Sequence, residues 1–342
     1  MAGRANTRLS PGDPRITWDG VDHFEADGPW LRPWRLSPDR LRSALAPALV
    51  ASGRDAAGIR FALHTDASAL TLRLAVDPAR PKPVDVVVGA SPDAPVVPVQ
   101  VPPGANDVRI DLPGEPVDVE IWLPHNTGVR LGDLVLADAD GDLIRPLTPK
   151  HFGWIAYGSS LTQSLAASGP SRTWSALVAR RNGWRLRNLG LSSEAHLDQA
   201  VARAIRDTPA NLITLELGIN VYILASLTAR TLASAIGGFL ATIRDGHPDT
   251  PVVVWGPFVS TARENVPNAV GLTLRQVREL VAGSVERLRA DGDQNLHLVD
   301  GTSLIGDADG SLLMDGLHPS AAGELVLADR AATALDKLVP HT

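Results

Sequence analysis

The chain has 342 residues, 44% of them hydrophobic and 20% charged, the proportions of a globular protein with room for about two domains. It contains no cysteine, which excludes disulfide frameworks, thiolate metal sites and cysteine nucleophiles in one step. Its net charge of -6 has the wrong sign for a protein that holds nucleic acid or an anionic membrane through a general electrostatic field.

Residues 1–14, MAGRANTRLSPGDP, carry arginines without the apolar core of a secretory signal and read as a flexible lead. No apolar run approaches the roughly 18 residues of a spanning helix, so a cytoplasmic location is expected.

From residue 15 to 148 the apolar residues recur at every second position, as in strands with one buried and one wet face. Ile59, Phe61 and Leu63 alternate with Arg60 and His64, and Leu70, Leu72, Leu74 and Val76 with Thr71 and Arg73. Val108, Ile110 and Leu112 alternate with Arg109 and Asp111, and Val117, Val119, Ile121 and Leu123 with Asp118, Glu120 and Trp122. Turn-formers separate them: Asp77-Pro78, Pro102-Pro103-Gly104 and Pro113-Gly114. Short strands so punctuated, with almost no helical period, predict an antiparallel β-sandwich or jelly roll.

Residues 149–342 change pattern. Short continuous apolar runs at Trp154–Tyr157, Arg185–Leu189, Leu212–Leu217, Val252–Trp255 and Leu296–Val299 suit strands buried on both faces of a parallel sheet. Between them lie amphipathic helices: Leu232, Ile236, Phe239, Leu240 and Ile243 share one face, as do Leu274, Val277, Val281, Val285 and Leu288. A closing helix is expected over Ala321–Leu338, after Pro319-Ser320. Alternation of strand and helix predicts a doubly wound, three-layer α/β domain.

In such sheets sites form beyond the carboxyl ends of the strands. The first strand runs into Gly158-Ser159-Ser160-Leu161-Thr162-Gln163, which places hydroxyls at the rim; alone, this reads first as a glycine turn with a serine N-cap. The third runs into Gly218-Ile219-Asn220, an amide able to donate to a developing oxyanion or to close an Asx turn. Asp315-Gly316-Leu317-His318 spaces a carboxylate and an imidazole so that the first can fix the tautomer of the second. His196 and Trp255 could also reach the rim, but an exposed helix-start histidine and a core tryptophan are the simpler readings; for Glu216 a structural partner is expected before a catalytic role.

The order serine, asparagine, Asp-x-x-His resembles the blocks of the SGNH, or GDSL-type, hydrolase superfamily over residues 152 to 340. Gly158-Ser159-Ser160-Leu161-Thr162 is similar to its first block, Asn188-Leu189-Gly190-Leu191-Ser192-Ser193 to its second, Gly218-Ile219-Asn220 to its third, and Asp315 and His318 to its fifth. Together with the predicted sandwich, the chain resembles a subgroup with an N-terminal β-domain that includes carbohydrate esterases and a polyketide-tailoring acyltransferase of tetracycline biosynthesis. The resemblance implies a flavodoxin-like hydrolase domain after a β-sandwich, and a Ser-His-Asp triad of Ser160, His318 and Asp315. It also implies an oxyanion hole from Ser160, Ser193 and Asn220, with no cofactor and no metal. The implied activity is hydrolysis of small acyl esters, acetyl above all, of a carbohydrate or natural product. The alternatives are acyl transfer to a small-molecule alcohol by the same triad and carbohydrate binding with a decayed site. Three positions depart from the pattern: Ser159 and Val221 stand where aspartates are usual, and Ser193 where the second block has glycine. At a positive φ a serine would be strained and its side chain would narrow the acyl pocket.

Overall fold

A computed structural model describes residues 4–76 and 82–339, so the turn expected at Asp77-Pro78 lies outside the described residues. Among the described residues the N-terminal half holds eleven strands: β1 (Ala5–Leu9), β2 (Thr17–Asp19), β3 (His23–Asp27), β4 (Trp30–Trp34), β5 (Arg60–Thr65), β6 (Ala69–Val76), β7 (Lys82–Val88), β8 (Val96–Val101), β9 (Gly104–Asp111), β10 (Val117–Trp122) and β11 (Val129–Ala139). One sheet runs β3-β4-β11-β6-β9 with β1 also on β11, the other β2-β5-β10-β7-β8, and every pairing is antiparallel. The alternating apolar residues meet between the sheets: Phe61, Leu63, Leu70, Leu72, Leu74, Val108, Ile110, Val119 and Ile121 belong to one buried cluster.

Two features depart from the expectations. Residues 5–9 are not a flexible lead: β1 pairs with β11, and Leu9 is fully buried in the sandwich core. The polar alternation on the second sheet does not mark a wet face either. Arg60 and Trp122 are buried, and Trp122, Val87 and Ala94 join the hydrophobic core of the C-terminal half. Two short helices, Pro38–Leu41 and Pro47–Gly53, carry no period-2 signal; their Leu41 and Leu49 also pack into that second core.

The C-terminal half holds a parallel sheet of β12 (Gly153–Gly158), β13 (Arg185–Gly190), β14 (Leu212–Glu216), β15 (Val252–Trp255) and β16 (Leu296–Val299), ordered β13-β12-β14-β15-β16. All residues of β12, β14 and β15 are buried, which is why these strands read as unbroken apolar runs. The helices at Ala229–Gly246 and Leu274–Ala290 bury the expected apolar stripes, except that Leu288 is only half-buried, and both begin with a threonine capping box. The last helix, Ala321–Asp336, is capped by Ser320. No helix among the described residues is long and apolar enough to cross a membrane. The order 2-1-3-4-5 puts the topological switch point between β12 and β14. Ser160 follows one of these strands and Asn220 the other.

Polar contacts lock the halves together. Arg35 is fully buried and donates to the carbonyls of Asn188 and Gly190 at the end of β13 (3.1 and 2.7 Å), and to Ser52 and Asp55 on its own side. Burial pulls its pKa down to about 10, against the pull of the neighbouring Asp55 charge. On the second sheet, Asp85 accepts from the backbone N–H and hydroxyl of Ser171 (2.9 and 2.7 Å).

Candidate active site

The turn after β12 allows almost no freedom. A Cβ at Gly158 would fall 2.2 Å from Thr162 Oγ1 and 2.6 Å from Glu216 Oε2, so only glycine fits. Ser159 then caps the short helix Ser160–Gln163, its hydroxyl accepting from the Leu161 N–H at 3.1 Å. Beneath it, Glu216 at the end of β14 accepts from both the N–H and the Oγ–H of Ser159 (2.7 and 2.6 Å). Burial pushes the Glu216 carboxyl above the usual range, while the Ser159 donors work against that shift. This is the structural partner expected for Glu216: it holds Ser159, the serine where the resemblance has an aspartate.

Ser160 is the next residue, 7% exposed, with Oγ 2.9 Å from His318 Nε2. The other ring nitrogen, Nδ1, lies 2.7 Å from Asp315 Oδ2. A carboxylate can only accept, so Nδ1 carries the proton and Nε2 is left as the acceptor that faces the serine hydroxyl. Asp315 Oδ1 also receives the backbone N–H groups of His318 (2.8 Å) and Leu317 (3.1 Å). Partial burial works to raise the Asp315 pKa, but these N–H groups and the His318 ring outweigh it and hold it at about 2. The aspartate therefore stays charged over the whole range in which histidine titrates. The turn itself is pinned from outside by Ser260 Oγ, which donates to the Gly316 carbonyl at 2.7 Å.

The oxyanion candidates come from the loops after β13 and β14. Ser193 has φ of +62°, the left-handed conformation in which a serine is strained by about 1 kcal/mol or more. Its flanking N–H groups are engaged, Ser192 with Gln163 Oε1 and Glu194 with the Leu191 carbonyl, both at 3.0 Å. His196 stabilises the strained residue: Nε2 sits 3.0 Å from the Ser193 carbonyl, and Nδ1 is 2.9 Å from Ser226 Oγ. The carbonyl accepts from Nε2–H, and Ser226 donates to the remaining nitrogen. Asn220 is 4% exposed and its Oδ1 accepts from the Ala195 N–H at 3.1 Å, which leaves the NH₂ as the donor end of the side chain.

Gln163 joins these pieces. It reaches Asp55 (2.8 Å) and the His125 carbonyl (3.2 Å) of the N-terminal half while its oxygen holds Ser192. Sequence reasoning misses both Gln163 and Arg35, because a polar contact between segments so far apart along the chain leaves no periodic signal. His196 is more than an exposed histidine, since it braces the loop. Trp255 is a core residue, 5.8 Å from the Trp174 ring, and does not wall the site.

Residues 153–336 match the family model described as GDSL-like Lipase/Acylhydrolase family. Among solved structures, the fold is similar to the salicylyl-acyltransferase SsfX3 from a tetracycline biosynthetic pathway, at 29% identity over 99% of both chains with a TM-score of 0.89. It is also similar to a family two carbohydrate esterase from Clostridium thermocellum solved with cellohexaose (13% identity, 94% of this chain and 98% of that one, TM-score 0.70). A second family two carbohydrate esterase, from Cellvibrio japonicus, matches at 13% identity over 98% of both chains, with a TM-score of 0.68. No curated protein matches the sequence. The family match spans more than half of the chain and the likeness to SsfX3 nearly all of it: the chain belongs to the GDSL-like lipase/acylhydrolase family, as an ester hydrolase or acyltransferase with an N-terminal antiparallel β-domain.

Proposed function

We propose that the protein is a serine esterase that removes small acyl groups, acetyl above all, from a hydroxylated natural product or carbohydrate. Ser160 Oγ attacks the ester carbonyl while its proton passes to His318 Nε2, and Asp315 stabilises the resulting imidazolium. The oxyanion is met by the N–H groups of Ser160 and Ser193 and by the NH₂ of Asn220. The alcohol leaves with the proton from His318, and water deacylates the serine by the same route. The observation that carries this reading is the unbroken chain of short hydrogen bonds from Ser160 Oγ through His318 to Asp315. Ser160→Ala is expected to lower turnover of 4-nitrophenyl acetate by about 10⁴-fold or more with an unchanged circular dichroism spectrum. Wild-type turnover that survives the change would overturn the assignment, as would failure of a fluorophosphonate to label Ser160.

A second reading has its own support. The likeness to a salicylyl-acyltransferase over 99% of both chains favours transfer of the acyl group to an alcohol by the same residues. Partition of the acyl-enzyme between water and added alcohols separates the two: an ester product that dominates at millimolar alcohol makes the protein a transferase.

A further inference from the structure

Eight large apolar side chains are strongly exposed among the described residues, and five of them, Ile223, Leu224, Val266, Val270 and Met314, stand on three segments bordering the candidate site. Their placement follows from local geometry. Asn220, Ile223 and Leu224 are spaced i, i+3, i+4 on the helix Ile219–Leu224, so the two aliphatic side chains rise from the same face as the amide, one turn further on. Ile219, Asn220, Val221 and Tyr222 are all buried, so only the last two residues of the helix, Ile223 and Leu224, reach the surface, one turn beyond the amide. Two residues past Leu224, Ser226 bonds His196 beside Ser193, so this end of the helix adjoins the oxyanion loop.

The other two segments are tied to the same place. Tyr222 Oη donates to the Val266 carbonyl at 2.9 Å, and Asn268 Nδ2 donates back to the Tyr222 carbonyl at 2.9 Å while its oxygen accepts from Val270 N–H. Met314 immediately precedes Asp315, and the loop that carries Val266 and Val270 reaches that turn through Ser260 and Gly316. Apolar surface concentrated at the rim of a site is a contact surface for what the site binds. Its chemistry is specific. Tyr222, Trp255 and Phe258, the aromatic side chains of these segments, are all buried, so these segments offer a pyranose ring no aromatic face to stack on.

We infer that Ile223, Leu224, Val266, Val270 and Met314 form an aliphatic shelf that receives the alcohol moiety of the ester, an alkyl or fused-ring skeleton in preference to a sugar. The inference rests on Ser160 as nucleophile, because the shelf is defined relative to that site. Wild-type protein and the double variant Ile223→Ser/Leu224→Ser, both positions being exposed, are assayed on 1-naphthyl acetate, an acetylated methyl glucoside and 4-nitrophenyl octanoate. The ratio of kcat/KM for naphthyl acetate over the acetylated glucoside is expected to favour naphthyl in the wild type and to fall about tenfold in the variant, through KM. An unchanged ratio overturns the shelf, and a loss confined to the octanoyl ester assigns these side chains to the acyl chain instead and overturns it too. Methyl NMR of the Ser160→Ala protein titrated with 1-naphthol keeps the inference testable without turnover. Saturable shifts at Ile223, Leu224 and Met314 support it, and shifts elsewhere or none refute it. Absence of turnover on every ester together with those shifts would break the esterase reading while leaving the shelf in place.

Discussion

The two outer faces of the N-terminal sandwich carry the same sequence pattern and have opposite fates. On the first sheet, Arg73, Arg109 and Asp111 stand in water. On the second, Arg60 is buried between Asp19 and Glu120, its guanidinium 5.4 Å from the Trp122 ring, and Asp85 is inaccessible against Ser171. Period-2 alternation therefore reports which residues face away from a strand's own core, and says nothing about what those residues meet. A polar side chain on a docked face acts as a specific tie, and on a free face as a solvated group.

This contrast is sharpest under substitution. Arg60→Ala strands Asp19 in a buried setting and leaves Glu120 only Lys150, at 3.7 Å, so it is expected to cost about 3 kcal/mol of unfolding free energy, whereas Arg109→Ala should stay within about 0.5 kcal/mol. Urea unfolding of both variants checks the pair; equal losses would mean that the two faces do not differ in this way. Two glycines offer a second comparison at matched backbone geometry. Gly58 and Gly114 have φ of +71° and +77°, but a Cβ at Gly58 would lie 2.7 Å from Asn188 Cβ across the interface, and one at Gly114 no nearer than 3.9 Å to Ser68. Alanine at either position incurs the left-handed penalty of about 1 kcal/mol, and at Gly58 overpacking should add a further ~1–2 kcal/mol. Melting curves of the two variants read the difference directly. The smallest effect belongs to the oxyanion loop. Ser193→Gly relieves its left-handed strain but gains unfolded-state freedom, so a net stabilisation of about 0.5 kcal/mol is expected, with kcat on 4-nitrophenyl acetate within about twofold because His196 still holds the loop.

The parallel sheet is legible because its strands are buried on both sides, so composition alone marks Trp154–Tyr157 or Val252–Trp255. The docked sheet misleads for the complementary reason: Arg60, Glu120 and Trp122 look wet until the other half covers them. β1 escapes notice because Asn6, Thr7 and Arg8 give this five-residue strand a polar look, and Leu9 alone is buried. In the site, local spacing carries the most information: Asp315 and His318 share a turn, and Ser160 and Asn220 each follow a strand at the switch point. What spacing could not reveal were the supports, Arg35 beneath β13, Gln163 between three segments and His196 behind Ser193, since each depends on neighbours that only folding brings near.

Arg35 has a consequence for the order in which the molecule is made. Its acceptors at Asn188 and Gly190 are synthesised 153 and 155 residues later than the guanidinium itself. A nascent chain that has released only its first half thus presents a half-satisfied cation and the bare ring of Trp122 to its surroundings, and must wait for the second half before either is sheltered.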